Sequence, residues 1–158
     1  MEKIDKEISG KLCRLLSFLH LACEEFEKFA NKIKDKKIKV TVRGIIVETN
    51  QYKRELNAQL QSLNIKDINI SDSPNTVEDS PNTVEVLKNN HLNNKTTTDK
   101  EIIELCCKSE IYFEKEYRNV LNEYFPYNGL RDMLIYQLNG IKCAFMQLKL
   151  LKSVLWYQ

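Results

Sequence analysis

Apolar residues recur at spacings of three and four in four separate stretches of this chain. Over residues 3–34 the stripe is Leu12, Leu15, Leu16, Leu19, Ala22, Cys23, Phe26, Phe29, Ala30 and Ile33. At about 100° per residue these positions share one side of an α-helix. Residues 37–64 repeat the pattern with Val42, Ile45, Ile46, Tyr52, Leu56, Leu60 and Leu63. The β-branched run from Ile38 to Val42 has no second strand to pair with, so it is read as the first turn of the second helix. A third helix is expected to start at Thr98 or Asp99 as N-cap, with Glu101 in a first turn that favours acids. Its stripe is Ile102, Ile103, Cys106, Phe113, Tyr117, Val120, Leu121 and Tyr124, and Pro126 ends it. Tyr127-Asn128-Gly129 predicts a tight turn. A fourth helix follows over 129–155 on Leu130, Met133, Leu134, Ile141, Ala144, Phe145, Leu148, Leu151 and Leu155.

Residues 65–97 break the periodicity. They are rich in Asn, Asp, Ser and Thr, and DSPNTVE occurs there twice in tandem, at 72–78 and 79–85. An exact polar repeat reads as a duplication in a tolerant surface loop, with one short helix expected over 83–92. Four helices of about 27 residues would each run roughly 40 Å, and the short connections inside each half require two antiparallel hairpins. A polar linker of this length can cross the whole bundle. The expected fold is therefore all-α, a single domain over 1–158: a ferritin-like four-helix bundle whose two antiparallel hairpins are joined by a long crossover.

Composition narrows the function classes. With 42% hydrophobic and 29% charged residues the chain can build a core, and only 4 Gly and 3 Pro argue against a turn-rich β fold. The 24 basic and 22 acidic residues nearly balance, so a specific nucleic-acid binder is not indicated. No secretory leader and no membrane span is expected, and five Cys without a CxxC spacing read as reduced thiols in a cytoplasmic protein. Lysines 32, 34, 36, 37 and 39 with Arg43, against Asp35 alone, read as a solvated hairpin end. No phosphate loop, nucleophile elbow or Cys–His pair is present. Residues 99–123 hold seven acids and four bases while the fourth helix is net basic, which predicts charge pairing between the two. The apolar C-terminus predicts that Trp156 caps the core or anchors a homo-oligomer, for which the helical faces are the other expected surface.

Chemistry in such bundles comes from inward side chains on facing helices. Glu48, Glu110 and Glu24 are expected at similar depth, and with Gln51 they form the candidate metal set for iron or manganese. A di-iron site needs four carboxylates and two His, arranged with a Glu-x-x-His on each of two helices. Here Glu48-Thr49-Asn50-Gln51 stands in place of that motif, and Asp132 is the only acid of the fourth helix. The donor set is degenerate, and Glu110 and Gln137 are expected to be buried or half-buried polar groups satisfied by Tyr117, Glu116 or water.

IIVETNQYKREL (45–56), IIELCCKSEIYFEKEYRNVL (102–121) and YQLNGIKCAFMQLK (136–149) together resemble small bacterial ferritin-like four-helix-bundle proteins known only as a domain of unknown function. Glu48, Gln51, Tyr52 and Glu55, then Cys106, Glu110 and Tyr117, then Gln137, Gly140 and Ile141 carry the resemblance. It implies a ferritin-like fold and no established activity. The expectation is a non-enzymatic bundle without cofactor, with a stress-related, interaction or scaffold role; the alternative is a divergent iron-binding or di-iron oxidase-like bundle.

Overall fold

The computed structural model describes residues 6–63, 98–121, 125 and 127–156. The expected polar crossover with its tandem repeat, the short helix at 83–92, and Tyr124 and Pro126 lie outside the described residues. Among the described residues there are five helical segments: α1 (Lys6–Lys32), α2 (Lys36–Ser62), α3 (Asp99–Lys108), α4 (Glu110–Leu121) and α5 (Asn128–Trp156). Among the described residues there is no strand, and no helix is long and apolar enough to cross a membrane.

Local chemistry sets the ends. Asp35 caps α2 by accepting from the amides of Lys37 (2.9 Å) and Ile38 (3.1 Å), so the β-branched run 38–42 is helical, as expected. Thr98 caps α3, its hydroxyl accepting from the Glu101 amide at 3.2 Å. That leaves the Asp99 carboxylate free to reach across and accept from the amides of Lys34 and Asp35, each at 2.9 Å. The start of α3 is thereby tied to the α1–α2 turn.

The expected third helix is interrupted. At Ser109 the amide bonds three residues back to Cys106 O (3.0 Å), and the Ser109 hydroxyl donates to Leu105 O (3.0 Å). A serine that back-bonds to the preceding turn tightens and bends a helix. The residue is 1% exposed, so the interruption sits inside the packing rather than at a frayed end. Periodicity alone carries no signal for it, because the apolar positions on both sides keep helical spacing.

Six cross-bundle contacts fix the directions. Arg14 meets Glu116, and Asp99 meets the end of α1, so α1 runs antiparallel to α3 and α4. Glu114 meets Lys142 and Glu110 meets Lys149, so α4 and α5 are antiparallel. Gln137 bonds to Glu55 while Gly140 faces Glu48, so α2 and α5 are antiparallel too. Hence α2 and α3 point the same way, and Leu63 and Thr98 stand at opposite ends of a bundle about 40 Å long. The pairing of acids on α4 with lysines on α5 is the one the charge pattern predicts.

The core runs the length of the bundle. At its centre Phe18, Phe26, Phe113 and Phe145 pack edge to face, with centroids 5.0–6.0 Å apart. This is the preferred aromatic geometry. Trp156 is half-buried against the core, whereas Leu155, assigned to the buried stripe by spacing, is exposed. One helix end cannot bury both neighbours when their side chains point about 100° apart.

Candidate functional site

The polar interior is concentrated where α2, α4 and α5 meet. Gln137 is fully buried on α5. Its carbonyl oxygen accepts from the Tyr117 hydroxyl at 2.8 Å. Its amide nitrogen donates to Tyr52 O (3.2 Å) and to Glu55 Oε1 (3.1 Å). Glu55 Oε2 accepts in turn from Gln51 Nε2 at 3.1 Å. One turn along α2, the Tyr52 hydroxyl donates to Glu48 Oε2 at 3.1 Å. Among the described residues no buried side-chain nitrogen or oxygen is left without a partner. A neutral amide with donors and acceptor all engaged is a satisfied core group.

Electrostatics agree with that assignment. Burial, with the Glu48 carboxylate as the next cause, pushes the Tyr52 phenol above its ordinary range. Burial does the same to Tyr117. Both are held as neutral donors, not as phenolates. Burial also pushes Cys23 up to about 11 and raises Cys106 further, so neither buried thiol is an activated nucleophile. All five cysteines are free thiols, and Cys23 and Cys106 are buried, as their place on the apolar stripes implies.

Gly140 shapes the same corner. A Cβ built there would overlap the Tyr52 hydroxyl oxygen and lie 3.0 Å from Cζ. The ring therefore lies directly on the α5 backbone, with Tyr136 edge-on at 6.3 Å. Gly140→Ala is expected to destabilise by about 1–3 kcal/mol, because overpacking outweighs the gain in helix propensity. Gly44→Ala, whose Cβ would meet nothing within 4 Å, is expected to stabilise by about 0.5–1 kcal/mol. Urea denaturation of the two variants reads the contrast, and Tyr52→Phe should recover part of the Gly140→Ala loss. Equal effects at the two glycines would show that the ring is not fixed there.

The candidate metal residues occupy separate environments. Glu48 is half-buried and engaged by Tyr52. Glu110 pairs with Lys149 at the α4–α5 seam. Glu24 is exposed and pairs with His20 at 3.0 Å. Gln51 is exposed and bonds to Glu55. Among the described residues no three His, Cys, Asp or Glu side chains are grouped so as to hold a metal ion. These side chains do not share one place: Glu48 lies beside Gly140 and Glu110 beside Lys149, nine residues further along α5, while Glu24 is held by His20 on the outside of α1. The expected partner of Gln137, Tyr117, is the observed one; the expected partner of Glu110 is replaced by Lys149.

Two features escaped sequence reading. One is the seat of Tyr52 on Gly140. The other is the Arg14–Glu116 pair, in which Arg14 Nε donates to both carboxylate oxygens (3.2 and 3.1 Å) and Nη2 adds a bond at 3.0 Å. Glu116 is 2% exposed. The signal for it was a charged residue lying next to Tyr117 on the inward side of the third stripe.

Set beside known protein families, curated proteins and solved structures, the chain matches none of them.

Proposed function

We propose that this chain is a ferritin-like bundle, with its second and third rods joined by a crossover, that serves as a cytoplasmic interaction or scaffold protein and not as an enzyme. The observation that carries this reading is Gln137: the central polar side chain of the interior donates both amide hydrogens, to Tyr52 O and Glu55, and accepts from the Tyr117 hydroxyl. An interior polar group partnered in this way ties three helices together and is already satisfied by the fold. Support for the ferritin-like arrangement comes from the parallel direction of α2 and α3 and from the residues of the sequence resemblance, of which Tyr52, Tyr117, Gln137 and Gly140 all fall in this one corner.

The competing reading, a divergent iron or manganese protein built on Glu48, Glu110, Glu24 and Gln51, is tested by metal analysis of protein purified without chelator. The expected result is metal content far below one ion per chain and unchanged by Glu48→Ala. Near-stoichiometric iron or manganese that disappears in Glu48→Ala or Glu110→Ala would overturn the proposal.

A further inference from the structure

The turn between α1 and α2 gathers the densest positive charge of the chain. Lys32, Lys34, Lys36, Lys37 and Lys39 stand within eight residues against Asp35, a net +4 where the whole chain carries +2. Four of the five are exposed and Lys39 is half-buried. Among the described residues none of the five ammonium groups forms an ion pair. The acids at this end bond to other groups. Asp35 accepts from the amides of Lys37 and Ile38, Asp99 from those of Lys34 and Asp35, and Glu101 from the Thr98 hydroxyl. Elsewhere on the bundle cations are paired, Arg14 with Glu116, Lys142 with Glu114 and Lys149 with Glu110. The lysine turn therefore projects a positive potential that suits an anionic partner.

The last turn of α5 arrives at the same end. Gly140 lies against Glu48 and Tyr52, and α5 runs antiparallel to α2. Lys36 stands twelve residues before Glu48, roughly 18 Å along the axis, and Trp156 sixteen residues after Gly140, roughly 24 Å in the same direction. The tip of α5 thus reaches the level of the lysine turn or just beyond it. It carries Val154, 58% exposed, and Leu155, 43% exposed, with Trp156 half-buried. Val40, 69% exposed, adds an aliphatic side chain one turn along α2 from Lys36. A solvated hairpin end accounts for the lysines but not for aliphatic side chains beside them. A nucleic-acid backbone would neutralise the lysines and leave those side chains in water. An anionic lipid surface takes up both: its headgroups meet the lysines, and its acyl boundary receives the aliphatic groups and the indole.

We propose that this end of the bundle, the α1–α2 turn together with the tip of α5, docks reversibly on an anionic lipid surface. The proposal rests on the interaction reading above and names the partner and the face. Each lysine held near such a surface changes partitioning roughly fivefold. The shallow apolar contact supplies the second signal that a peripheral protein needs to stay bound.

Flotation of the full chain with phosphatidylcholine vesicles, with and without about 30% phosphatidylserine, tests it. Binding to the anionic vesicles alone is expected, lost when salt rises from about 0.1 to 0.5 M. Emission from Trp156, the single tryptophan of the chain, should shift to the blue on binding. Lys36→Glu with Lys37→Glu should lower partitioning at least about tenfold. Arg54→Glu with Arg131→Glu makes the same change in net charge at exposed sites remote from this end, and should lower it less than about threefold. Val40→Ser with Leu155→Ser should weaken binding several-fold and reduce the shift. All six sites are exposed, so helicity by circular dichroism should be retained. Absence of vesicle binding, equal binding to neutral vesicles, or unshifted Trp156 emission in the bound protein would overturn the docking. So would a lysine pair no more sensitive than the arginine pair, indifference to the two serines, or a DNA duplex or polyglutamate bound more tightly than the anionic vesicles. Vesicle binding is read independently of metal content, so failure of the docking is distinguishable from failure of the broader reading.

Discussion

Phe113→Ala is expected to lower the free energy of unfolding by about 3–5 kcal/mol, among the largest losses from one substitution in this chain. The ring is 1% exposed and meets three others edge to face: Phe18 at 5.0 Å, Phe145 at 5.4 Å and Phe26 at 6.0 Å. Truncation removes the transfer energy of the ring and leaves a void between α1, α4 and α5. Side chains on three helices cannot all relax into such a void at once. The loss of three ring–ring contacts adds about 0.5–1.5 kcal/mol for each well-formed pair as an upper bound. Ile111→Ala, two residues earlier on α4 and 65% exposed, is the control and should stay within about 0.5 kcal/mol. Urea denaturation gives both numbers. A Phe113→Ala loss below about 1 kcal/mol would mean that the aromatic centre is not close-packed.

Glu116→Leu is expected to cost about 3 kcal/mol, the lower part of the range for breaking a buried ion pair. Glu116 is almost fully buried, and the Arg14 side chain retains 14% exposure, so the guanidinium that loses this carboxylate regains some water. The cost is mainly electrostatic, the loss of a desolvated carboxylate bonded twice over to a guanidinium. Arg14→Met with Glu116→Leu should therefore recover most of it, ending within about 1 kcal/mol of the parent or above it. The cycle of the two single variants and the double variant separates the desolvated charge from simple loss of packing. If the double variant is as unstable as Glu116→Leu alone, packing and not charge holds α1 to α4.

The polar network of Gln137 and the ion pair of Arg14 play related parts at opposite seams. Each links residues far apart in sequence, 85 positions for Gln137 to Tyr52 and 102 for Arg14 to Glu116. Apolar stripes fix that helices pack but tolerate sliding by a turn. A buried polar group with few acceptable partners tolerates it far less, because a slip leaves donors unpaired in a low dielectric.

Much of the architecture was legible in the residues. Spacings of three and four determined the helices and most of their buried faces, since a helix that must hide one side has to repeat at its own period. Thr98 marked a helix start, and the excess of acid over 99–123 against a basic fourth helix foretold the Glu110 and Glu114 pairs with Lys149 and Lys142. The inward place of Gln137 and its link to Tyr117 could also be read, because one polar residue at the centre of an apolar stripe has to find a partner. The tertiary structure alone decided the rest. The break at Ser109 follows from a hydroxyl choosing the carbonyl of Leu105, a choice that apolar spacing does not record. Whether Glu48, Glu110 and Glu24 would converge depended on how each helix is rotated about its own axis. That rotation is set by the summed packing of neighbouring helices, and it sent the three carboxylates to different partners.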